Sequence, residues 1–178
     1  YALPDGISPG LESTSNFITD ALAYCNGCHV CEVEVDAETG GVKILKYVVV
    51  HDSGRLINPT IVTGQVQGGV AHGIGNAMFE WMGYDDDAQP VTTTFAEYLL
   101  PTAPEVPNFD IIFEESPSPL NPLGVKGAGE GSTVPAAAAV ISAIEDALAP
   151  FGVHIAEVPI TPARIIALID EAKAAKEG

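Results

Sequence analysis

The glycine-rich segment from Gly64 to Gly75 is the feature that most constrains how this chain can fold. It follows Asn58-Pro59, where asparagine can cap a helix and proline suits its first turn, so the pattern predicts a helix from Pro59 to about Glu80. Five of these twelve residues are glycines, and each costs a helix roughly 1 kcal/mol relative to alanine. We therefore expect compensation, either by close packing against a neighbour or by main-chain contact with a ligand.

The rest of the chain mixes strands and helices without a regular alternation, which predicts an α+β fold with a mixed sheet, hairpins and packed helices. Residues 1–28 are rich in Gly, Pro, Ser and Thr and predict an extended N-terminal segment, followed by one domain over residues 29–178. Within that domain we expect a hairpin of two strands, a further strand, and two more helices: His29–Asp36 and Val42–Val50, Phe109–Phe113, then Ser132–Leu148 and a helix from Pro162 to about Lys173.

A second glycine-rich run, Gly124 to Ser132, carries a single carboxylate, Glu130, directly before the predicted Ala-rich helix. Glycines in such a loop let another molecule approach the main chain closely. A carboxylate held there can act as a general base toward whatever fills the space. The alternative is that Glu130 is solvated and simply favours the positive end of the following helix.

Composition excludes several classes of function. Seven basic residues against 24 acidic ones give a net charge of −17, which argues against nucleic acid as a partner because phosphates require a basic surface. No apolar stretch is long enough to span a membrane, and no signal peptide opens the chain. The first residue is Tyr1 rather than Met, from which we expect a fragment or a split subunit.

Three cysteines, Cys25, Cys28 and Cys31, are spaced by two residues each. Such spacing can hold a metal ion or an iron–sulfur cluster when a fourth ligand is supplied. Buried thiols are the alternative that we favour. The odd number argues against a disulfide framework and is consistent with a reducing compartment.

Three motifs in this order resemble the C-terminal part of the molybdopterin-binding large subunit in the molybdenum hydroxylase (xanthine dehydrogenase) family. They occupy Asp52 to Pro59, Gly64 to Gly75, and Ser118 to Glu130. The likeness is clearest to the large chain of aerobic carbon monoxide dehydrogenases and their relatives, and it covers nearly the whole chain. It implies oxidative hydroxylation, with water-derived oxygen, of an aldehyde, an N-heterocycle or carbon monoxide.

The resemblance also implies roles for individual residues. Glu130 corresponds to the glutamate base beside the molybdenum. Contacts to the molybdopterin, expected in its cytosine dinucleotide form, are implied for two groups of residues: Gln65, Gly68 and Gly69, and then Lys126, Gly127, Ala128 and Gly129. An amide suits a pterin edge because it both donates and accepts, and the Lys126 ammonium can offset phosphate charge. No residue is expected to bind the metal directly.

Further chains are implied as partners. The resemblance places iron–sulfur clusters and FAD on separate iron–sulfur and flavin subunits, requires the remainder of the molybdenum subunit, and indicates a cytoplasmic enzyme with a small-molecule substrate. Two alternatives stay open from the residues alone. One is a non-catalytic module that retains the fold, and the other is a small metal-binding module built on Cys25, Cys28 and Cys31.

Overall fold

The computed structural model describes residues 3–7, 9–19 and 21–177, which form an α+β unit as the sequence predicts. Over these residues a three-stranded sheet is combined with three α-helices and one short 3-10 helix. The elements in chain order are β1 (Asn26–Val35), β2 (Val42–Asp52), α1 (Pro59–Met78), β3 (Asp110–Phe113), α2 (Thr133–Ala147), the 3-10 helix (Ala149–Phe151) and α3 (Pro162–Glu177).

The sheet is mixed, with β2 in the centre. β1 pairs with β2 in antiparallel fashion, and β3 joins the other edge of β2 in parallel. Alternation along β1 puts Cys31, Val33 and Val35 against the core, while Glu32 and Glu34 are exposed. The hairpin predicted from this alternation is therefore confirmed, although β1 begins three residues earlier than its pattern indicated.

The helices pack on the sheet through apolar side chains that recur at helical spacing. Four apolar side chains of α1 are fully buried, namely those of Val66, Val70, Ile74 and Ala77. They meet Tyr47 and Val49 of β2, Val140 and Ile144 of α2, and Ile165 and Ile169 of α3 in one core cluster. Asn58 caps α1 as predicted, because its Oδ1 accepts a hydrogen bond from the Ile61 N–H at 3.2 Å. No helix in the described part of the chain is long and apolar enough to cross a membrane.

Two of the helical glycines in α1 are explained by close contact with α2. A Cβ on Gly69 would stand 3.0 Å from the Cβ of Ser132 and from the Thr133 nitrogen, and a Cβ on Gly73 would overlap the Cβ of Ala136. Gly64 and Gly68 differ, because nothing lies within 4 Å of the place where their side chains would begin. Packing against α2 therefore accounts for Gly69 and Gly73, while Gly75 is packed against the side chains of Glu80 and Pro101.

The Gly73→Ala substitution should destabilise the chain, because the new methyl group meets a Cβ that is fixed to the backbone of α2. We expect the free energy of unfolding to fall by about 1–3 kcal/mol. Gly64→Ala is the matched control, and it should raise that free energy by about 1 kcal/mol because alanine favours the helix and the space is open. Denaturant unfolding followed by circular dichroism measures both. Equal stabilisation by the two substitutions would contradict the close helix contact.

A histidine–tyrosine pair lies at the edge of the core. The Nδ1 atom of His29 is 2.8 Å from the hydroxyl of the fully buried Tyr47. Burial, with a smaller contribution from the nearby His51, lowers the pKa of His29 to about 4. The imidazole is therefore neutral in the folded protein at neutral pH.

This lowered pKa predicts a specific pH dependence of stability. The unfolded chain binds the His29 proton near pH 6.5 and the folded chain only near pH 4, so protonation favours unfolding. Stability from this group is complete above about pH 6.5 and is lost as the pH falls toward 4. His29→Gln should flatten the dependence over that window in denaturant titrations. His72→Gln, at an exposed position of α1, should leave the slope as it is in the unmodified chain.

Candidate active site

The glycine-rich loop that carries Glu130 is attached to the end of β2 by main-chain hydrogen bonds. The N–H of Lys126 donates to the carbonyl of Ser53 at 2.8 Å, and the N–H of Arg55 donates to the carbonyl of Gly124 at 3.0 Å. On its other side the loop contacts the N-terminal segment, because the Gly127 N–H donates to the Ala23 carbonyl at 2.8 Å. The loop is thus fixed along residues 124–127.

A buried ion pair reinforces this attachment. The Lys126 Nζ donates to Asp52 Oδ2 at 2.7 Å and to the Ser116 Oγ at 2.6 Å, and the side chains of Lys126 and Asp52 are 11% and 13% exposed. Ser116 also donates to both oxygens of Asp52, through its hydroxyl at 2.6 Å and its N–H at 3.2 Å, while the Gly54 N–H donates to Oδ1 at 2.8 Å. Burial alone raises the pKa of Asp52, but these hydrogen bonds outweigh it and hold the pKa well below its usual range.

The close contact between α1 and α2 brings the two glycine-rich motifs together. The Ser132 and Thr133 end of the loop touches α1 at Gly69, and Gln65 lies one helical turn before Gly69. Gln65 and Gly68 are exposed, whereas Gly69 is buried. Residues that are about 60 positions apart in the chain therefore form one surface.

The second half of the loop, residues 128–131, presents unpaired main-chain donors. Among the residues that the structure describes, none accepts a hydrogen bond from the N–H groups of these four residues. Nothing lies within 4 Å of the position that a Cβ of Gly129 would occupy. The Glu130 carbonyl accepts hydrogen bonds from the N–H groups of Thr133 at 3.0 Å and Val134 at 3.4 Å, so the residue is tied to the first turn of α2 while its side chain is exposed.

Two buried polar side chains close to Gly131 were not predicted as site residues, namely those of His51 and Ser132. A Cβ on Gly131 would stand 2.5 Å from the Sγ of Cys25 and 2.8 Å from the Cε1 of His51. His51 and Ser132 are both 1% exposed, and within the described residues neither the Nε2 of His51 nor the Oγ of Ser132 has a hydrogen-bond partner. Burial lowers the pKa of His51 in spite of the nearby Asp52. The alternation of Tyr47, Val49 and residue 51 along β2 is the sequence signal that could have placed this imidazole inside.

The cysteines do not converge on a metal site. Cys28 and Cys31 are three residues apart in β1, so their side chains point to opposite faces of the sheet. Burial raises the pKa of Cys31 to about 11, which keeps it a thiol, whereas a metal requires the thiolate. Across residues 3–7, 9–19 and 21–177, no three His, Cys, Asp or Glu side chains are grouped so that they could hold a metal ion.

A cleft of about 570 Å³ lies beside the anchored half of the loop. Its walls come from the N-terminal segment and from residues 121–127 and are mainly apolar, including Phe17, Leu22 and Leu123. Glu130 is not among the residues that line it. This cleft and the carboxylate therefore lie at different places along the loop.

Comparison with known proteins identifies the family of the chain. Residues 7–107 match the molybdopterin cofactor-binding domain family. The nicotine 6-hydroxylase large subunit of Paenarthrobacter nicotinovorans is 45% identical over 163 residues, which cover 92% of this chain and 20% of that protein. The chain spans about a fifth of the length of the curated relatives that it matches.

Solved structures show the same fold. The quinoline 2-oxidoreductase of Pseudomonas putida 86 superimposes with a TM-score of 0.81 at 48% identity, over 83% of this chain and 19% of that one. The CO dehydrogenase of Oligotropha carboxidovorans gives a TM-score of 0.89 at 29% identity, over 97% and 21% of the two chains. The resemblance inferred from the three motifs is thereby confirmed, and the chain belongs to the molybdopterin-binding domain of the molybdenum hydroxylase family.

Proposed function

We propose that this chain is the C-terminal part of the molybdopterin-binding large subunit of a molybdenum hydroxylase, with Glu130 as its general base. The observation that carries the proposal is the contact of Gly69 with Ser132 and Thr133. This contact joins the amide- and glycine-bearing turn of α1 to the loop that presents the only carboxylate of residues 124–132. A module that merely retained the fold would have no need of a carboxylate at that junction.

The residues present fit a molybdopterin. Open space beside Gly68 and Gly129 lets a ligand approach the main chain, and the unpaired N–H groups of residues 128–131, close to the start of α2, suit an anionic group. Gln65 is exposed and can both donate and accept along a pterin edge. When bound, the cofactor supplies the redox chemistry and an electrophilic metal.

We assign the cofactor contacts to Gln65, Gly68 and the stretch Gly127 to Gly129. The contacts that the sequence predicts for Gly69 and Lys126 are not part of this assignment, because Gly69 faces α2 and the Lys126 ammonium is engaged by Asp52.

Glu130 removes a proton from the water-derived nucleophile. A carboxylate oxygen of Glu130 then holds this proton. Its main chain is fixed by the first turn of α2, and its side chain extends from the loop into space that protein does not occupy. A positioned carboxylate of this kind contributes on the order of 10²- to 10⁴-fold to rate. The chain's own residues thus orient the base, while the cofactor carries the oxidation.

An N-heterocycle is the substrate class that we propose. Two of the relatives are named after nicotine and quinoline, which are both N-heterocycles. These relatives are 45% and 48% identical to the chain. The carbon monoxide dehydrogenase large chain of Hydrogenophaga pseudoflava is 34% identical. An aldehyde or carbon monoxide is the competing outcome in a substrate screen.

The assembly that we propose is a cytoplasmic complex. It comprises the remainder of the molybdenum subunit together with partner chains that carry iron–sulfur clusters and FAD, and the pterin is the cytosine dinucleotide form. The support is the family to which the chain belongs and its relatives, several of which are named as subunits of larger enzymes.

Glu130→Gln in the assembled enzyme should reduce turnover by at least about 10²-fold, because the amide cannot accept the proton. Bound molybdenum should stay near the level of the unmodified enzyme, since the loop and its main-chain donors are retained. Glu157→Gln, at an exposed carboxylate before α3, is the matched control and should leave turnover unchanged. Substantial activity in Glu130→Gln would remove this residue from the role of base.

Metal analysis of the complex purified from its native host separates the proposal from its alternatives. Molybdenum and iron together with larger partner chains are expected. Iron or zinc without molybdenum would favour a module built on Cys25, Cys28 and Cys31. Neither metal would indicate a fold retained without its chemistry.

A further inference from the structure

We propose that Lys126 is a positioning residue: its largely buried ion pair with Asp52 holds the loop that presents Glu130. This inference rests on the proposed function of Glu130, and it gives Lys126 a different task from the phosphate contact that the sequence indicated. Lys126 and Asp52 are 74 residues apart in the chain, so only the fold brings them together.

The ion pair joins three segments of the chain at one place. Asp52 is the last residue of β2, Ser116 follows β3, and Lys126 lies in the loop. The Lys126 ammonium donates to the other two residues at 2.7 and 2.6 Å. Next to it, the main-chain hydrogen bonds of Ser53 and Arg55 hold residues 124 and 126 of the same loop. The attachment to the end of β2 therefore ends at Lys126, four residues before Glu130.

The acceptor side of this ion pair is filled. Both oxygens of Asp52 receive two hydrogen bonds each: Oδ1 from the N–H groups of Gly54 and Ser116, and Oδ2 from the Ser116 hydroxyl and Lys126. Removing one member of a buried ion pair leaves the other charge uncompensated, which is strongly unfavourable. If Lys126 left to bind a phosphate, Asp52 would be such a charge. The hydrogen bonds that Lys126 makes in the ion pair and the cost of leaving Asp52 uncompensated both favour Lys126 staying beside Asp52.

An exposed pair elsewhere in the chain provides the comparison. Arg164 and Glu171 of α3 are bonded at 3.0 Å, but their side chains are 45% and 61% exposed. Ion pairs in solvent contribute little to stability. Breaking this pair removes a charge and a hydrogen bond without releasing any part of the loop.

A double-mutant cycle in the assembled, molybdenum-loaded enzyme tests the proposal. Lys126→Met and Asp52→Asn should each lower kcat by about 10- to 100-fold, since small displacements of a catalytic group have effects of this size. KM and molybdenum content should stay within about threefold of the unmodified enzyme, because in this reading Lys126 binds neither substrate nor cofactor. The double variant should be no slower than the slower single one, as two partners of one interaction are not additive.

Two further variants complete the experiment. Lys126→Arg keeps the charge and should retain most of the turnover that Lys126→Met loses. Arg164→Met should match the unmodified enzyme in kcat and molybdenum content. Asp52→Asn preserves the shape of the side chain and an acceptor oxygen, so it carries the test if Lys126→Met fails to assemble.

The contrary outcomes are distinct. Loss of molybdenum in Lys126→Met but not in Asp52→Asn would overturn the proposal and assign Lys126 to the cofactor. The proposal for Lys126 would also be overturned if the kcat losses of the two single variants multiplied in the double variant, or if Asp52→Asn left kcat unchanged. The proposed function would stand in both cases, provided that Glu130→Gln is inactive. High activity in Glu130→Gln would instead remove the proposed function itself, whatever the cycle shows.

Discussion

The close approach of α1 to α2 is the contact on which the rest of the site depends. Side chains of ordinary size would hold two helices apart, but Gly69 and Gly73 let α1 meet the first turn of α2 almost backbone to backbone. The low helix propensity of this segment is tolerated because the packing is gained in return. Since the loop before α2 ends at that contact, the same glycines also determine where Glu130 lies relative to Gln65 and Gly68.

The loop is held from two directions, and its middle is left free. On one side, main-chain hydrogen bonds and the ion pair of Lys126 with Asp52 attach residues 124–126 to the end of β2, and Gly127 is bonded to Ala23. On the other, the Glu130 carbonyl is bonded to the first turn of α2. Between these attachments, the N–H groups of residues 128–130 have no hydrogen-bond partner within the described residues, and Glu130 is exposed. Rigid ends around an accessible centre are what a site for a large, anionic cofactor requires.

Much of the molecule's apolar surface is uncovered, and the exposed residues include Phe17, Leu22, Trp81 and Phe95. The chain spans only about a fifth of its curated relatives. In the enzyme that we propose, the remainder of the large subunit supplies the enclosure. Excluding water would strengthen each electrostatic interaction at Glu130. In that proposal, the fold of this chain positions Glu130, and the remainder of the enzyme completes the site around it.

The sequence by itself determined the α+β class, the elements and the family, because hydrophobic periodicity, Asn58-Pro59 and the three motifs are local signals. It also predicts Glu130 as a candidate base, because the glycine-rich surroundings of this residue are contiguous in the chain. It could not tell which glycines in α1 serve packing and which face open space, because that depends on the partner helix. Nor could it pair Lys126 with Asp52 or place His51 beneath Gly131. Those contacts join segments far apart in the chain, and only the tertiary structure decides them, since charge and burial act through space rather than along the sequence.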